Sequence, residues 1–336
     1  MNNREWIHNI ISRKGDHKVP YSFSFSPAAR RAVEEYYGGG DIKETLNFPI
    51  RTGSLVSIKP QYADPDVYGN SVTDEFGVVW STNKIDRGSP IRPCLHEPSL
   101  AGYRFPDPSE RYRFEGIGDW CRRNTENFTV LWVGDLWERA MFMRGMEELF
   151  LDIHIHPGFV HSLLRNLTDY LLETMKILFE KKLEFSSIGL SDDYGTQNAM
   201  MLSPSCWREF IKPYLSEIYT YAKTNGRNMF HHSCGNIVPI VGELIEMGLD
   251  ILHPIQPESM DIDRLKREFG NDVTFSGGLN TQQLLPFGTE SEIRAEVRRL
   301  KRDMGKGGGY ILEPGLTVQA DVPLKNIVAA IEEARA

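Results

Sequence analysis

The sequence predicts a (β/α)8 barrel of the TIM type with an irregular insertion in its N-terminal half. From residue 187 to the C-terminus, five strand-like apolar runs alternate with helical patterns. Such alternation is typical of a parallel sheet, and five units are too many for half of an ordinary domain. Three more strands upstream would complete the count of a TIM barrel.

The five strand-like runs of the second half end in glycine, proline or polar residues. They cover 187–190, 229–231, 250–254, 273–278 and 309–314. Helical patterns follow each of them, and the first begins at Ser203-Pro204, an N-cap followed by a first-turn proline. The alternation from 187 to 335 is therefore the firmest part of the fold prediction.

The first half offers fewer strands. Residues 19–23 precede a helical pattern over 27–38, and 128–133 is a strong apolar run. Either 54–58 or 76–80 is expected to supply the third strand. The segment 60–125 is rich in Pro, Gly and Asp, which predicts a long insertion covering one end of the barrel. Without a repeat or a clear linker, residues 1–336 are expected to form one domain, with the longest helix from 157 to about 182.

Composition narrows the functional class. The chain has 336 residues, of which 40% are hydrophobic and 25% charged, with a net charge of -8 and a pI near 5.7. This acidity argues against nucleic acid or an anionic membrane as the main partner. No apolar run resembles a signal region or a membrane span, and the four cysteines are too scattered for a disulfide scaffold. We therefore expect a cytoplasmic protein.

Polar residues gather where the predicted strands end. In a TIM barrel the chemistry lies at the C-terminal ends of the strands. These ends carry Asp192, Asp193, His232, Cys234, His253, Gln256, Asn280 and Glu313. Asp192 and Asp193 are the candidate catalytic residues, as general base, metal ligand or substrate acceptor, although an N-cap role is the alternative.

His232 and Cys234 form a candidate metal half-site. An imidazole and a thiol at i and i+2 of a strand end point to the same side, and both are good zinc ligands. A buried cysteine can equally be a small hydrophobic residue. His231 alternates to the other side, so it is predicted to pack between barrel and helices. Asp74 and Glu75, in the insertion, are expected to be solvated turn residues.

Several segments resemble the uroporphyrinogen decarboxylase superfamily. They are the runs 232–236, 246–252, 275–279, 308–312 and 321–327, together with 202–204 and 210–214. The resemblance covers essentially the whole chain, is strongest from about 187 onward, and implies a TIM barrel.

The resemblance favours one of two functional branches. True uroporphyrinogen decarboxylases carry an arginine-rich N-terminal motif and a late histidine, whereas residues 19–27 hold no arginine and Leu316 stands at the late position. The other branch transfers methyl groups to or from corrinoid proteins and binds zinc through His-x-Cys and a distant cysteine. His232 and Cys234 match the first part. Since no cysteine follows 234, either an acidic third ligand, Glu313 or Asp193, completes the site or the metal is absent, and Glu313 stands nearest the family position.

The resemblance thus implies a zinc-assisted, O-demethylase-type methyltransferase that acts as a monomer or homodimer. Its partners would be a small methylated substrate and a corrinoid carried by a partner protein. Tyr194, His253, Gln256 and Trp80 are the candidate substrate-binding residues. One alternative is a carboxy-lyase acting on a tetrapyrrole or small carboxylate, with Asp192 or Asp193 as proton donor. Another is a non-catalytic barrel that binds a corrinoid protein or tetrapyrrole.

Overall fold

A curled parallel sheet forms the centre of the protein. The computed structural model describes residues 1–15, 17–85 and 87–336. Its strands are β1 (Ile50–Ser54), β2 (Ser71–Thr73), β3 (Val79–Ser81), β4 (Pro90–Arg92), β5 (Phe128–Gly134), β6 (Ser187–Ser191), β7 (Asn228–His232), β8 (Ile251–Ile255), β9 (Thr274–Leu279) and β10 (Tyr310–Pro314). Seven strands pair in the order β1-β5-β6-β7-β8-β9-β10, all parallel, and β2-β3-β4 form a separate antiparallel sheet.

The eighth position of the barrel is taken by an extended segment instead of a regular strand. Tyr21 forms a parallel bridge to Leu312 of β10, whose N–H donates to Pro20 O at 2.8 Å. On the other side, the Tyr21 hydroxyl donates to Leu46 O, just before β1. Pro20 has no N–H for a ladder, which shortens the pairing here. The TIM-barrel class predicted from the sequence is confirmed, with its first strand reduced to a bridge.

The third strand of the first half differs from both expectations. The barrel uses Ile50–Ser54, which overlaps the expected 54–58 at one residue only. The other candidate, 76–80, contributes to β3 of the small antiparallel sheet. Ile50–Ser54 carries a single large apolar side chain, so its strand character comes from pairing in register with β5 instead of from local pattern.

Helices alternate with the barrel strands as predicted for the second half. The α-helices are α1 (Asn3–Ser12), α2 (Pro27–Tyr36), α3 (Ile42–Thr45), α4 (Pro65–Tyr68), α5 (Ile117–Arg123), α6 (Trp137–Arg144), α7 (Met146–Ile155), α8 (Pro157–Glu180), α9 (Pro204–Phe210), α10 (Lys212–Thr224), α11 (Val241–Glu246), α12 (Ile262–Phe269), α13 (Leu284–Phe287), α14 (Glu290–Asp303) and α15 (Leu324–Arg335). Short 3₁₀ helices cover Arg111–Phe114 and Val238–Ile240. Among the helices of the described residues, none combines the length and apolar character needed to cross a bilayer.

The barrel interior is filled at the end where its strands begin. Inward side chains of the strands pack into one apolar cluster with Ile7 and Ile10 of α1. The strand members are Ile50, Phe128, Val130, Phe230, Ile251 and Ile311. Helix α1 therefore closes the interior at this end of the barrel, and the interior is open at the opposite end, where barrel enzymes hold their sites.

Gly189 makes room for the largest inward side chain. It pairs in register with Trp132 of β5, whose indole covers the glycine. A Cβ built on Gly189 would lie 2.7 Å from Trp132 Cε3 and 2.8 Å from Val130 Cγ1. Both distances are far below van der Waals contact, so only glycine fits beside this tryptophan.

Gly189→Ala is therefore expected to lower the free energy of unfolding by about 1–3 kcal/mol, as overpacking does in dense interiors. Chemical denaturation of the two proteins measures the difference. Gly158→Ala is the matched control, because a Cβ there meets nothing within 4 Å and lies in helix α8. Equal stability of Gly189→Ala and the wild type would show that Trp132 can move aside.

Candidate active site at the C-terminal end of the barrel

A polar layer lies directly above the apolar interior. His232 and His253 are partners in the β7–β8 register, each two residues beyond an inward apolar side chain, Phe230 and Ile251. Glu313 stands likewise two residues beyond Ile311 on β10. Because side chains alternate along a strand, residues two apart share a face. The barrel therefore presents two imidazoles and a carboxylate as its next interior layer.

Asp193, His232 and Cys234 converge at this level. Their ligand atoms all lie within 4.8 Å of one another. His232 Nε2 is 3.5 Å from Asp193 Oδ1 and 3.5 Å from Cys234 Sγ. Asp193 follows β6, and Cys234 follows β7, so two neighbouring strand ends supply the set.

The spacing of these three atoms fits a zinc ion. Tetrahedral zinc, with bonds of about 2.0 Å to nitrogen and oxygen and about 2.3 Å to sulfur, separates its ligand atoms by roughly 3.3–3.6 Å. The two distances measured from His232 Nε2 fall in that range. The donor set also suits the metal, since imidazole, thiolate and carboxylate are all zinc ligands. The residues therefore fit the ion that the resemblance implies, with Asp193 as the candidate for the third ligand.

Backbone hydrogen bonds hold the turn that carries Cys234. The Cys234 N–H donates to Asp193 Oδ1 at 2.7 Å, and the Gly235 N–H donates to Gln256 Oε1 at 2.5 Å. Gly235 has a φ of 80°, and a Cβ on it would lie 2.3 Å from the backbone of Gly195. The loops after β6 and β7 thus approach closely at two glycines, and Gln256, nearly fully buried, braces the turn.

Burial shapes the protonation of the three groups. It lowers the pKa of His232 well below the usual value, with His253 adding to the effect, so the imidazole is neutral. Burial also raises the pKa of Asp193, against the hydrogen bond from the Cys234 N–H. Burial, with Asp193 and Glu138 adding, raises the pKa of the Cys234 thiol. A bound cation would offset these penalties, and its binding would release the thiol proton.

Glu313 lies beside His253 and not among the three converging groups. Its Oε2 is 3.2 Å from His253 Nε2, and His253 Nδ1 is 2.9 Å from His232 Nδ1. The sequence favoured Glu313 as the third ligand, but the structure places Asp193 next to His232 and Cys234. His253, predicted to touch substrate, connects Glu313 to His232.

Asp192 lies on the opposite face of the strand end from Asp193. It is fully buried and accepts hydrogen bonds from Leu136 N at 3.0 Å, Glu138 N at 2.9 Å and the Tyr194 hydroxyl at 3.0 Å. These contacts hold the start of α6 against β6. Asp192 thus binds the first N–H groups of a helix that precedes it in the chain, which differs from the local N-cap that the sequence left as the alternative to catalysis.

Tyr194 and His231 lie in the layer between the barrel strands and the surrounding helices. Tyr194 is buried and stacks on His231 with ring centroids 5.5 Å apart. His231 is fully buried, and burial lowers its pKa to about 3. The prediction that His231 packs between barrel and helices is confirmed, and the structure places Tyr194 there as well, away from the candidate substrate space.

The insertion is anchored by the two acidic residues expected to be solvated, and that expectation is wrong. Asp74 is buried, accepts from Phe76 N, Val78 N and Trp80 Nε1, and forms an ion pair with Arg139 of α6 at 2.8 Å. Glu75 pairs with Arg113 at 3.1 Å. Trp80 belongs to the same anchor. Its Nε1–H donates to Asp74, and its ring makes an edge contact with Phe142, with the centroids 4.9 Å apart.

A cavity of about 200 Å³ opens between the insertion and the ends of β1 and β5. Its polar lining includes Ser54, Ser57, Glu75, Arg113, Asp135, Arg139 and Tyr170; its apolar lining includes Leu55, Phe76 and Trp132. Trp132 also contacts His232, with ring centroids 6.4 Å apart. Trp132 therefore belongs both to the lining of the cavity and to the surroundings of His232.

Sequence reasoning missed the charged lining of this cavity and Glu138. Burial raises the pKa of Glu138 to about 9, with Asp193, Asp135 and Asp192 adding. The available signal was the polar run Gly134-Asp135 followed by Glu138-Arg139 after the strong strand 128–133. It is the same strand-end pattern that identified the other candidates.

The buried carboxyl of Asp192 should make the free energy of unfolding depend on pH. Burial raises its pKa to about 8, whereas a carboxyl of the unfolded chain titrates near about 3.9. The native state then binds the proton more tightly, so this residue makes the free energy of unfolding fall as pH rises from about 4 to about 8. Asp192→Asn keeps an acceptor for both N–H groups and removes the titration. Denaturation curves at pH 5, 6.5 and 8 should show a smaller decline in the variant, and parallel declines would contradict the prediction.

Known proteins resemble this chain along most of its length. The sequence profile of the uroporphyrinogen decarboxylase (URO-D) family matches residues 133–336. A uroporphyrinogen decarboxylase of Psychromonas ingrahamii is 22% identical over 253 residues, which cover 70% of this chain and 67% of that protein. One of Neisseria meningitidis is 28% identical over 125 residues, 34% of this chain and 32% of that protein. The chain thus spans between a third and two thirds of these relatives.

The fold has a solved counterpart. A structure described as a methyltransferase from Methanosarcina mazei superposes with a TM-score of 0.72 at 15% identity, covering 100% of this chain and 98% of that one. At this identity the likeness establishes the fold. The profile match, which covers more than half of the chain and contains the barrel strands β6 to β10, establishes the family. The chain belongs to the uroporphyrinogen decarboxylase family.

Proposed function

We propose that the protein is a methyltransferase that moves a methyl group between a small methylated substrate and a corrinoid carried by a partner protein. The observation that carries the proposal is the convergence of Asp193, His232 and Cys234 with zinc-like spacing at the functional end of a barrel of this family. The methyltransferase of Methanosarcina mazei, which shares the fold over its whole length, is in keeping with it.

Asp193, His232 and Cys234 would hold the zinc ion. When bound, zinc supplies a Lewis acid for the heteroatom that carries the methyl group, and the corrinoid supplies the methyl acceptor. A carboxylate in place of a second thiolate makes this ligand set harder, which suits an ether or alcohol oxygen better than a thiol. The donor would therefore be a methoxylated compound, an O-demethylase-type substrate.

We propose that the cavity beside Trp132 holds the body of the methyl donor, with its methoxy group extending to the metal ligands. A space of about 200 Å³ holds a small molecule and is below the usual range of about 300–1,000 Å³ for ligand pockets, far too small for a tetrapyrrole. Its two arginines are already paired, Arg113 with Glu75 and Arg139 with Asp74 and Asp135. The lining therefore offers little net charge, which fits an uncharged substrate.

We propose that residues 1–336 form one domain, with the insertion 60–125 beside the barrel mouth. Two buried ion pairs support this arrangement, because Asp74–Arg139 joins the insertion to α6 and Glu75–Arg113 closes the insertion on itself. A corrinoid protein would approach the same end. We further propose that the protein acts in the cytoplasm as a monomer or homodimer.

Glu138 favours a second candidate, a carboxy-lyase acting on a small carboxylate. Decarboxylation replaces carbon dioxide by a proton at the same carbon, so it needs a protonated acid in the site. Burial and neighbouring carboxylates raise the pKa of Glu138 to about 9, which keeps it protonated at neutral pH. Release of carbon dioxide without any corrinoid protein, lost in Glu138→Gln, would select this candidate.

Zinc content tests the leading proposal. The purified wild-type protein should contain near-stoichiometric zinc, and Cys234→Ala should lose both the metal and methyl transfer because one of three protein ligands is gone. Cys206→Ala is the matched control, another half-buried cysteine, outside the cluster. A metal-free wild type with unchanged activity in Cys234→Ala would contradict the metal site. Binding of corrinoid protein without turnover would favour a non-catalytic barrel.

Filling the cavity tests the substrate site. Ser54 ends β1 and lines the cavity, so Ser54→Phe should raise the KM for the methyl donor by about tenfold or more through steric exclusion, equivalent to at least about 1.4 kcal/mol. Zinc content should not change. Ser54→Ala leaves the space open and should retain the wild-type KM. An unchanged KM in Ser54→Phe would place the substrate elsewhere.

A further inference from the structure

We infer that Glu313 is a positioning residue that acts through His253 to set which nitrogen of His232 carries the proton. The inference rests on the proposed metal site for its consequence, but the proton positions themselves can be measured without metal or substrate. It assigns Glu313 a role different from that of a ligand.

Three successive contacts connect Glu313 with the candidate metal ligands. Glu313 Oε2 lies 3.2 Å from His253 Nε2, His253 Nδ1 lies 2.9 Å from His232 Nδ1, and His232 Nε2 faces Asp193 and Cys234. Glu313 reaches His253 across β9, where its partner in register is Gly278. The row therefore runs unbroken through the barrel interior from β10 to β7.

The donors and acceptors of this row can be counted. A neutral imidazole has one N–H and one lone pair, and an ionised carboxylate only accepts. If Glu313 accepts from His253 Nε2–H, His253 Nδ1 has the lone pair and must accept from His232 Nδ1–H. His232 is left with its lone pair on Nε2, the atom that faces Asp193 and Cys234. A histidine that binds a metal needs this arrangement.

The opposite proton order has only poor acceptors at its end. It would place a proton on His232 Nε2, but Asp193 Oδ1 is 3.5 Å away, beyond the usual N–H···O range of about 2.7–3.2 Å. That oxygen also already accepts from the Cys234 N–H at 2.7 Å. Cys234 Sγ, at 3.5 Å, is a weak acceptor for that proton, whereas in the first order the thiol donates its S–H to the lone pair on Nε2. At the other end, the opposite order would turn a lone pair of His253 Nε2 toward Glu313 Oε2, which only accepts. The contacts at both ends thus favour the same order.

The first test locates the imidazole protons by NMR spectroscopy. In metal-free protein labelled with ¹⁵N-histidine, long-range ¹H–¹⁵N correlation distinguishes the two neutral tautomers of each of the nine histidines. Substituting His232 and His253 singly assigns their signals. We expect an Nδ1–H tautomer for His232 and an Nε2–H tautomer for His253, and a mixture at His232 in Glu313→Ala. An Nε2–H tautomer for wild-type His232 would overturn the inference, whatever reaction the protein catalyses.

The second test measures zinc affinity by competition with a chromophoric chelator. Loss of a hydrogen-bond partner behind a metal ligand typically weakens affinity by about 10- to 100-fold, which we expect for Glu313→Ala and for His253→Ala. Because Glu313 acts through His253, the Glu313→Ala/His253→Ala double variant should bind zinc no more weakly than the weaker-binding single variant. A further loss in the double variant, as from a direct ligand, would overturn the inference.

Two conservative variants separate this role from general damage. Glu313→Gln keeps the size and an acceptor oxygen, so its zinc affinity should lie between those of Glu313→Ala and the wild type. Glu258→Gln alters another half-buried glutamate near the barrel mouth, which accepts from Thr281 N and Gln282 N, and should bind zinc as the wild type does. Equal losses in Glu258→Gln and Glu313→Gln would contradict a specific role for Glu313.

Discussion

The alternation of side chains on parallel strands held in register is the constraint on which the site depends. Phe230 and Ile251 face each other inside the barrel, and two residues later the same two strands present His232 and His253. On β10, Ile311 and Glu313 repeat the step. A shift of one residue in any of these strands would turn its polar group out of the barrel. The apolar layer beneath thus fixes the level at which the polar layer forms.

The same alternation gives two consecutive aspartates opposite tasks. Asp193 points inward to His232 and Cys234, whereas Asp192 points outward and accepts from the first residues of α6. Each task supports the other. The bond between Asp193 and the Cys234 N–H ties the loops after β6 and β7 together, and Asp192 holds those loops against the helix that carries Glu138.

The insertion contributes the space beside the site. Two of its acidic residues, Asp74 and Glu75, make buried ion pairs with Arg139 and Arg113, which costs desolvation but leaves the cavity lined by groups that are already partnered. Trp132, which Gly189 accommodates, lines the cavity and contacts His232, one of the candidate metal ligands. In the proposed arrangement, the cavity holds the body of a small substrate, and the methoxy oxygen of that substrate extends past Trp132 to the cation.

The sequence by itself determined the barrel class, the strands and helices from 187 onward, the family, and most of the polar residues at the strand ends. These depend on periodicity and on motifs within short segments, which local chemistry encodes. Only the tertiary structure decided that β1 is Ile50–Ser54, that Asp74 is buried, and that Asp193 instead of Glu313 lies beside His232 and Cys234. Each of these results depends on contacts between residues more than 35 positions apart, such as β1 with β5 and Asp74 with Arg139, and no local pattern carries such pairings.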